Sequence, residues 1–222
     1  MRIVISAATI GEWMPAYAGI DPLYTGNSQR MHVTFHQGGV GLLATAFSLT
    51  KLIYEEKPDL IIQAGIAGCF DTTQPLAKVL VIKDESLADT GVQEEGRWKD
   101  IFDLKLEKPG YPPFEKRRLS NPWLPQYNLL KLPEVSAITI NTITTGEKRI
   151  QQIRKKYNPV IESMEGAALH YACRQTNTPF IQIRAISNYI GERDKSKWRI
   201  KDAIGELNQV LLKYIDKLYK IG

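Results

Sequence analysis

Four short segments of this chain hold the residues that could do chemistry. Glu162-Ser163-Met164-Glu165-Gly166-Ala167-Ala168 lies where an apolar run passes into a helical pattern, which puts Glu165 in a first helical turn, where the helix dipole stabilises its charge. A carboxylate there either serves a ligand or simply caps the helix. Arg184-Ala185-Ile186-Ser187-Asn188 places polar groups directly after the apolar run from Phe180. Ser and Asn suit an ordinary turn at that point, and they equally suit an amide that reads a base. Gln63-Ala64-Gly65-Ile66-Ala67-Gly68 ends another buried run. Small residues at the carboxyl end of such a strand let a flat ring approach the backbone, but the Gly spacing is neither a P-loop nor a dinucleotide fingerprint. Gly38-Gly39-Val40-Gly41 sits between a strand and a helix, where backbone N–H groups can meet an anion or hydroxyls, or where glycines merely turn the chain.

The elements that must position these residues follow from hydrophobic periodicity. Runs rich in Val, Ile and Phe predict strands over 2–8, 31–37, 59–64, 77–83, 136–142 and 179–186. Apolar side chains at three- and four-residue intervals predict helices over 40–56, from Met164 to Arg174 and from Lys201 to Ile221. Alternating strands and helices indicate an α/β fold, and 222 residues fit one domain over 1–222. The stretch 104–133 carries Pro109, Pro112, Pro113, Pro122, Pro125 and Pro133, which oppose regular structure and predict a surface excursion. It reads as a substrate-side lid, a subunit contact or a passive loop, with no catalytic residue in it.

Composition narrows the function classes. A formal charge of +5 invites a nucleic-acid reading, but Lys116, Arg117 and Arg118 fall in the Pro-rich stretch, and Lys148, Arg149, Arg154, Lys155 and Lys156 read as a solvated helix face. No nucleic-acid partner is expected. The absence of a long apolar run excludes a membrane span, and MRIVISAATI reads as a strand rather than a signal sequence, so a cytoplasmic protein is expected. Cys69 and Cys173 lack metal-ligand spacing, so neither a disulfide nor a metal site is expected.

In order and spacing the four segments resemble the purine nucleoside phosphorylase and nucleosidase superfamily, over nearly the whole chain. The likeness is strongest to its hydrolytic branch, which includes methylthioadenosine/S-adenosylhomocysteine (MTA/SAH) nucleosidases and futalosine hydrolases. Glu-Ser-Met-Glu-Gly-Ala-Ala, Ser187-Asn188 rather than Ser-Asp, Ala88-Asp89-Thr90-Gly91 ahead of Asp100-Ile101-Phe102-Asp103-Leu104, and Trp198 after Gly191-Glu192-Arg193-Asp194 most resemble the futalosine hydrolases. The resemblance implies a single domain with a central twisted mixed β-sheet flanked by helices, an active site at the strands' carboxyl ends, no cofactor and a homo-oligomer. It implies hydrolysis of the N-glycosidic bond of futalosine to hypoxanthine and dehypoxanthine futalosine, on a route to menaquinone. The alternatives are an MTA/SAH or aminodeoxyfutalosine nucleosidase and a phosphate-dependent phosphorylase.

The resemblance also assigns roles. Glu12 matches the glutamate that activates water, and Glu165 the carboxylate that takes hydrogen bonds from the ribose 2′ and 3′ hydroxyls as positive charge develops on the sugar. Met164 packs beside the ribose, Ser163 stands where nucleosidases carry a further Glu, and Glu162 does not replace that group. Arg184 orients Glu12 or the water. Ser187, Gly65 and the Ile150 backbone contact substrate, and Arg149 is available to stack on the base where Thr145-Gly146-Glu147-Lys148-Arg149 lacks the usual aromatic residue. Asn188 replaces the aspartate that protonates N7 in adenine-releasing enzymes. An amide can accept from a protonated N7 and donate to a 6-oxo oxygen, which favours hypoxanthine. Phosphorylases of the superfamily carry Gly-Asp-Pro-x-Arg after the first strand, whereas this chain reads Ser6-Ala7-Ala8-Thr9-Ile10-Gly11-Glu12 and leaves Arg30 as a phosphate contact. Arg193 and Lys197 are the cations for a benzoate end, or part of a solvated basic face.

Overall fold

The computed structural model describes residues 1–25 and 30–221. In chain order its elements are β1 (Arg2–Ala7), α1 (Ile10–Gly19), α2 (Pro22–Thr25), β2 (His32–Gln37), α3 (Gly41–Glu56), β3 (Leu60–Cys69), β4 (Val79–Leu87), β5 (Gly91–Glu94), β6 (Arg97–Asp100), β7 (Leu119–Ser120), α4 (Leu124–Tyr127), β8 (Glu134–Thr139), α5 (Glu147–Tyr157), β9 (Ile161–Ser163), α6 (Gly166–Thr176), β10 (Phe180–Tyr189), a short 3₁₀ turn (Lys195–Lys197) and α7 (Ile200–Ile221).

The strand runs are apolar throughout because helices cover both faces of the sheet. Side chains alternate between faces, so Ile3, Ile5, Leu60 and Ile62 pack with Leu207, Leu211 and Tyr214 of α7. Val4 and Ile61 turn the other way, onto Leu49, Leu52 and Ile53 of α3 and Leu169 and Cys173 of α6. Both thiols, Cys69 and Cys173, are buried and unpaired. No described helix is long and apolar enough to cross a membrane.

The sheet is mixed, in the order β10-β4-β8-β9-β3-β1-β2, and β10 also pairs with β3. Five strands therefore close on themselves, a curl that hydrophobic periodicity does not encode. One edge of β3 pairs with β1 through Leu60–Gln63 and with β9 through Gly68 and Cys69. Where β1 stops and β9 takes over, the sheet splits, and such a switch in pairing opens a crevice at the carboxyl ends of the strands.

Several boundaries differ from the sequence reading. The strand expected to end at residue 64 continues to Cys69 and the one expected to end at 83 continues to Leu87, while 136–142 is strand only to Thr139. Helix α6 starts at Gly166, because Glu165 has a non-helical backbone (φ −127°, ψ −21°). Helix α1 and the β5–β6 hairpin were not foreseen. Gly11, Pro15 and Gly19 mask the helical pattern of α1.

The Pro-rich excursion is strapped down rather than loose. Leu124 enters the core, Asn121 donates to the Phe180 carbonyl, and Arg174 holds the Pro113 and Ser120 carbonyls. The two basic runs are also more than solvated faces. Arg117 pairs with Asp103, Arg118 pairs with Asp84, Arg154 donates to the Phe70 carbonyl and Lys156 pairs with Asp100.

Candidate active site

A cleft of about 400 Å³ occupies the crevice, lined by residues from the end of β1 and the start of α1, from β3, from β9 and the turn after it, and from β10. A wider hollow of about 630 Å³ beside α7 is lined by Arg199, Lys201, Asp202 and Glu206 and holds none of the predicted site residues.

Glu12 is buried in the first turn of α1. Its Oε2 accepts hydrogen bonds from the Thr9 backbone N (3.0 Å) and the Thr9 hydroxyl (3.2 Å), and its Oε1 from the Ile66 N (3.1 Å). A carboxylate has about four acceptor positions, so one remains for a water. Glu165 belongs to a different helix terminus from the one predicted. It is the residue before α6, yet its side chain does not cap α6; Oε1 accepts from the Gly41 N at 3.1 Å, the start of α3. The Gly-rich run therefore does meet an anion, and that anion is Glu165. Gly38 and Gly39 spend their N–H groups on the Ala7 and Ala8 carbonyls.

Ser187 and Asn188 both line the cleft because the pairing of β10 with β3 slips between Ile186 and Asn188, and such a bulge turns successive side chains to one side. The Ser187 hydroxyl donates to Asn188 Oδ1 (2.8 Å), and Nδ2 donates to the Tyr189 carbonyl (3.2 Å). These contacts distinguish the amide oxygen from the nitrogen and leave one N–H and one lone pair available.

Glu12, Ser163, Met164, Glu165, Ser187 and Asn188 are thus brought together; Arg184, Gly65 and Ile150 are not lining residues. Arg184 is fully buried behind the cleft, donating to Gln63 (2.8 Å) and lying 3.6 Å from Glu165 Oε2, so it braces Glu165 rather than Glu12. Gly65 serves that arginine, since a Cβ there would run into Arg184 Nη1. The β3 residues that do line the cleft are Ile66, Ala67 and Gly68, farther along the strand, with Ile190 packed over Gly68. Ile150 is packed with Phe70, Ile138 and Ile153, and its N–H is spent on Gly146. Arg149 does not reach the cleft: it lies 4.3 Å over the Trp98 ring and donates to the Ala88 carbonyl.

Arg193 lies at the cleft mouth, 5.5 Å over the Trp198 ring, while Lys197 is paired with Glu192 (2.7 Å) outside it. Arg30 lies against the Tyr219 ring ahead of β2, at the opposite end of the parallel strands. Ile66, Ile140, Ile143, Ile190 and Ile204 supply aliphatic walls.

Two acidic residues had no assigned role. Glu162, buried, lines the cleft; desolvation raises its pKa against the Thr144 hydrogen bond and Arg149. Glu85 lies beneath the start of α6, accepting from Gln182 (2.9 Å) and Thr139 (2.9 Å), while the Thr139 hydroxyl accepts from the Ala167 N. Burial pushes the Glu85 carboxyl up to about 7 despite those bonds. A Cβ on Gly166 would run into Glu85, which is the physical reason for glycine in Ser-Met-Glu-Gly. The only sequence signal for Glu85 was a charge interrupting an apolar strand.

The sequence profile of the Phosphorylase superfamily matches residues 11–217. An MTA/SAH nucleosidase of Bacillus subtilis strain 168 is 27% identical over 207 residues, covering 88% of this chain and 85% of its own length. One from Staphylococcus aureus strain NCTC 8325 / PS 47 is 28% identical over 182 residues, 78% of this chain and 76% of its own. Among solved structures, an MTA/SAH nucleosidase of Colwellia psychrerythraea 34H in complex with adenine superposes with a TM-score of 0.79 at 20% identity, covering 98% and 96% of the two chains. The native futalosine hydrolase of Helicobacter pylori strain 26695 also gives 0.79, at 16% identity and 98% of both chains. The futalosine name thus occurs among the structural neighbours, whereas these sequence relatives are named MTA/SAH nucleosidases. The match along residues 11–217, with the mixed sheet and its crevice, places this chain in the phosphorylase superfamily.

Proposed function

We propose that the cleft hydrolyses the N-glycosidic bond of a 6-oxopurine nucleoside, with futalosine as substrate and hypoxanthine as the released base. The observation that carries this reading is the fixed Asn188 amide, whose unspent N–H and lone pair match O6 and a protonated N7. Glu12 takes a proton from water, which attacks C1′. The C1′–N9 bond breaks with its electron pair going to the purine, N7 takes up a proton from a second water, and the proton held by Glu12 neutralises the hydroxide left behind, so that one water is consumed overall. The sugar passes through an oxocarbenium-like state, whose positive charge strengthens the hydrogen bonds from its hydroxyls to Glu165.

Phosphorolysis fits this cleft poorly. Three carboxylates line it, Glu12, Glu162 and Glu165; Arg193 is the one cationic lining residue among those described, and the N-terminal amide of α3 is already occupied by Glu165. Arg193 suits a substrate that carries a carboxylate on its 5′ side, as futalosine does. The names of the sequence relatives favour a second reading, release of adenine from methylthioadenosine.

Purified protein incubated with futalosine, aminodeoxyfutalosine, methylthioadenosine and inosine decides between them. Hypoxanthine should be released from futalosine with the highest kcat/KM, at a rate independent of phosphate. Faster adenine release from methylthioadenosine overturns the reading, and formation of a sugar 1-phosphate overturns hydrolysis.

A further inference from the structure

Helix α1 carries Glu12 just ahead of Pro15. Proline has no N–H, so the Gly11 carbonyl finds no donor four residues on, and the proline ring crowds that carbonyl. The next rung of an unbroken helix joins Ala16 N to Glu12 O. Here the side chain of Asn208, on α7, reaches both groups: Oδ1 accepts from Ala16 N at 2.8 Å, and Nδ2 donates to Glu12 O at 2.9 Å. Nδ2 also donates to the Ile204 carbonyl (2.7 Å), one turn back on α7 in a residue that lines the cleft. Turning the amide over would set N–H against N–H at Ala16 and oxygen against two carbonyls, so only this orientation fits.

Asn208 is 3% exposed, in a seam where Trp13 and Ala16 of α1 pack with Leu207 and Leu211 of α7. A polar side chain buried among apolar ones is costly unless it is paired, and this one is paired with the main chain of the residue whose carboxylate enters the cleft. Thr9 and Ile66 hold the Glu12 carboxylate, and Asn208 holds its carbonyl. Helix α7 is itself tied at its start, where Arg199 N donates to the Ser187 carbonyl at 2.8 Å.

We propose that Asn208 is a positioning residue for Glu12. By bridging the helical ladder next to Pro15 it fixes the backbone of the first turn of α1, and so the place of the carboxylate relative to the water it activates. It touches no reacting atom. The proposal rests on the reading of Glu12 as general base and deepens it.

Asn208→Ala removes the bridge. Because a displacement of about 1 Å in a catalytic group is enough for a hundredfold loss, kcat should fall about ten- to a hundredfold on 6-oxo and 6-amino substrates alike. KM, and the affinity for hypoxanthine by calorimetry, should change by less than about twofold, since neither depends on the base. The deciding readout is the double-mutant cycle with Glu12→Gln. Once the carboxylate is gone its placement no longer matters, so N208A added to E12Q should lower kcat by less than about twofold further. An equal loss in both backgrounds overturns the proposal and marks Asn208 as a tie between two helices. Unchanged kcat in folded N208A overturns it as well. If N208A does not fold, Asn208→Ser, whose hydroxyl is too short to bridge both groups, takes its place in the same cycle, and failure of both variants to fold overturns the proposal in favour of a purely structural role. If E12Q alone leaves kcat unchanged, it is the general-base reading that fails.

Discussion

The two ends of the cleft are built differently. At the sugar end Glu12 holds three hydrogen bonds from Thr9 and Ile66, and Glu165 is held by the α3 terminus with Arg184 behind it. These carboxylates are oriented by the protein before any ligand arrives, mostly by backbone donors. At the other end Asn188 keeps one unspent N–H and one lone pair, positioned by strand register rather than by a helix start. The groups proposed to act on every substrate are held by the protein, with acceptor positions left for water and the sugar. Groups that choose among substrates are left for the ligand to complete, and the energy of choice resides in that completion.

The largest effect should come from the sugar end. Glu12→Gln removes the proposed general base and should lower kcat by about 10²–10⁴, the usual worth of proton transfer by a positioned side chain. Because the group does not face the base, 6-oxo and 6-amino substrates should lose alike, while the affinity for hypoxanthine, measured by calorimetry, stays nearly constant. A loss confined to one class of base would dissolve the division between the ends.

At the base end the rate should change little and the choice a great deal. Asn188→Asp supplies a group that can protonate N7 and accept from a 6-amino group. It should move the kcat/KM ratio toward the 6-amino substrate by roughly ten- to a hundredfold. An unchanged ratio would show that Asn188 only closes the bulge. Arg193→Ala at the mouth should have a smaller effect. An exposed pair is worth only 0.2–1 kcal/mol, so KM for futalosine should rise about two- to fivefold at low salt and by less at high salt, with inosine unaffected.

How much of this was legible in the sequence differs between the ends in the same way. The Ser-Met-Glu-Gly and Ser-Asn segments are contiguous, and the residues their local pattern singles out, Met164, Glu165, Ser187 and Asn188, all line the crevice. Strand cores such as Ile3–Ile5 and Leu60–Ile62 declare themselves because a strand buried on both faces is uniformly apolar. Closure of the sheet through the β10–β3 pair depends on contacts remote in sequence, which leave no period. The errors at Gly65 and Ile150 share that origin. Gly65 looks like a ring platform until Arg184, more than a hundred residues later, fills the space above it.

The smallest effect on rate, and a test of how rigid the sugar end is, comes from Glu85. Its carboxyl sits behind Glu165, tied through Thr139 to the first turn of α6. Burial raises its pKa from an ordinary 4.5 to about 7 in the folded protein. The folded state therefore binds the proton more tightly than the unfolded chain does. Its stabilising contribution is fully present below about 4.5 and is lost as the pH rises through about 7. Glu85→Gln stays neutral throughout, so its Tm should climb relative to wild type between those two values and run parallel to it on either side. Comparing the two proteins isolates Glu85 from His170, whose buried ring is held neutral with a pKa lowered to about 3, so that its stability is instead lost as the pH falls below its ordinary 6.5. Thermal melts at half-unit pH steps should show the gap opening by on the order of ten degrees, what a pKa difference of this size is worth at about 1.4 kcal/mol per unit and about 2–4 °C per kcal/mol in a chain of this length. The preference for 6-oxo over 6-amino substrates should not move, because Glu85 braces only the sugar end. A changed preference, or a gap independent of pH, would show that the proton on Glu85 is not what steadies the start of α6.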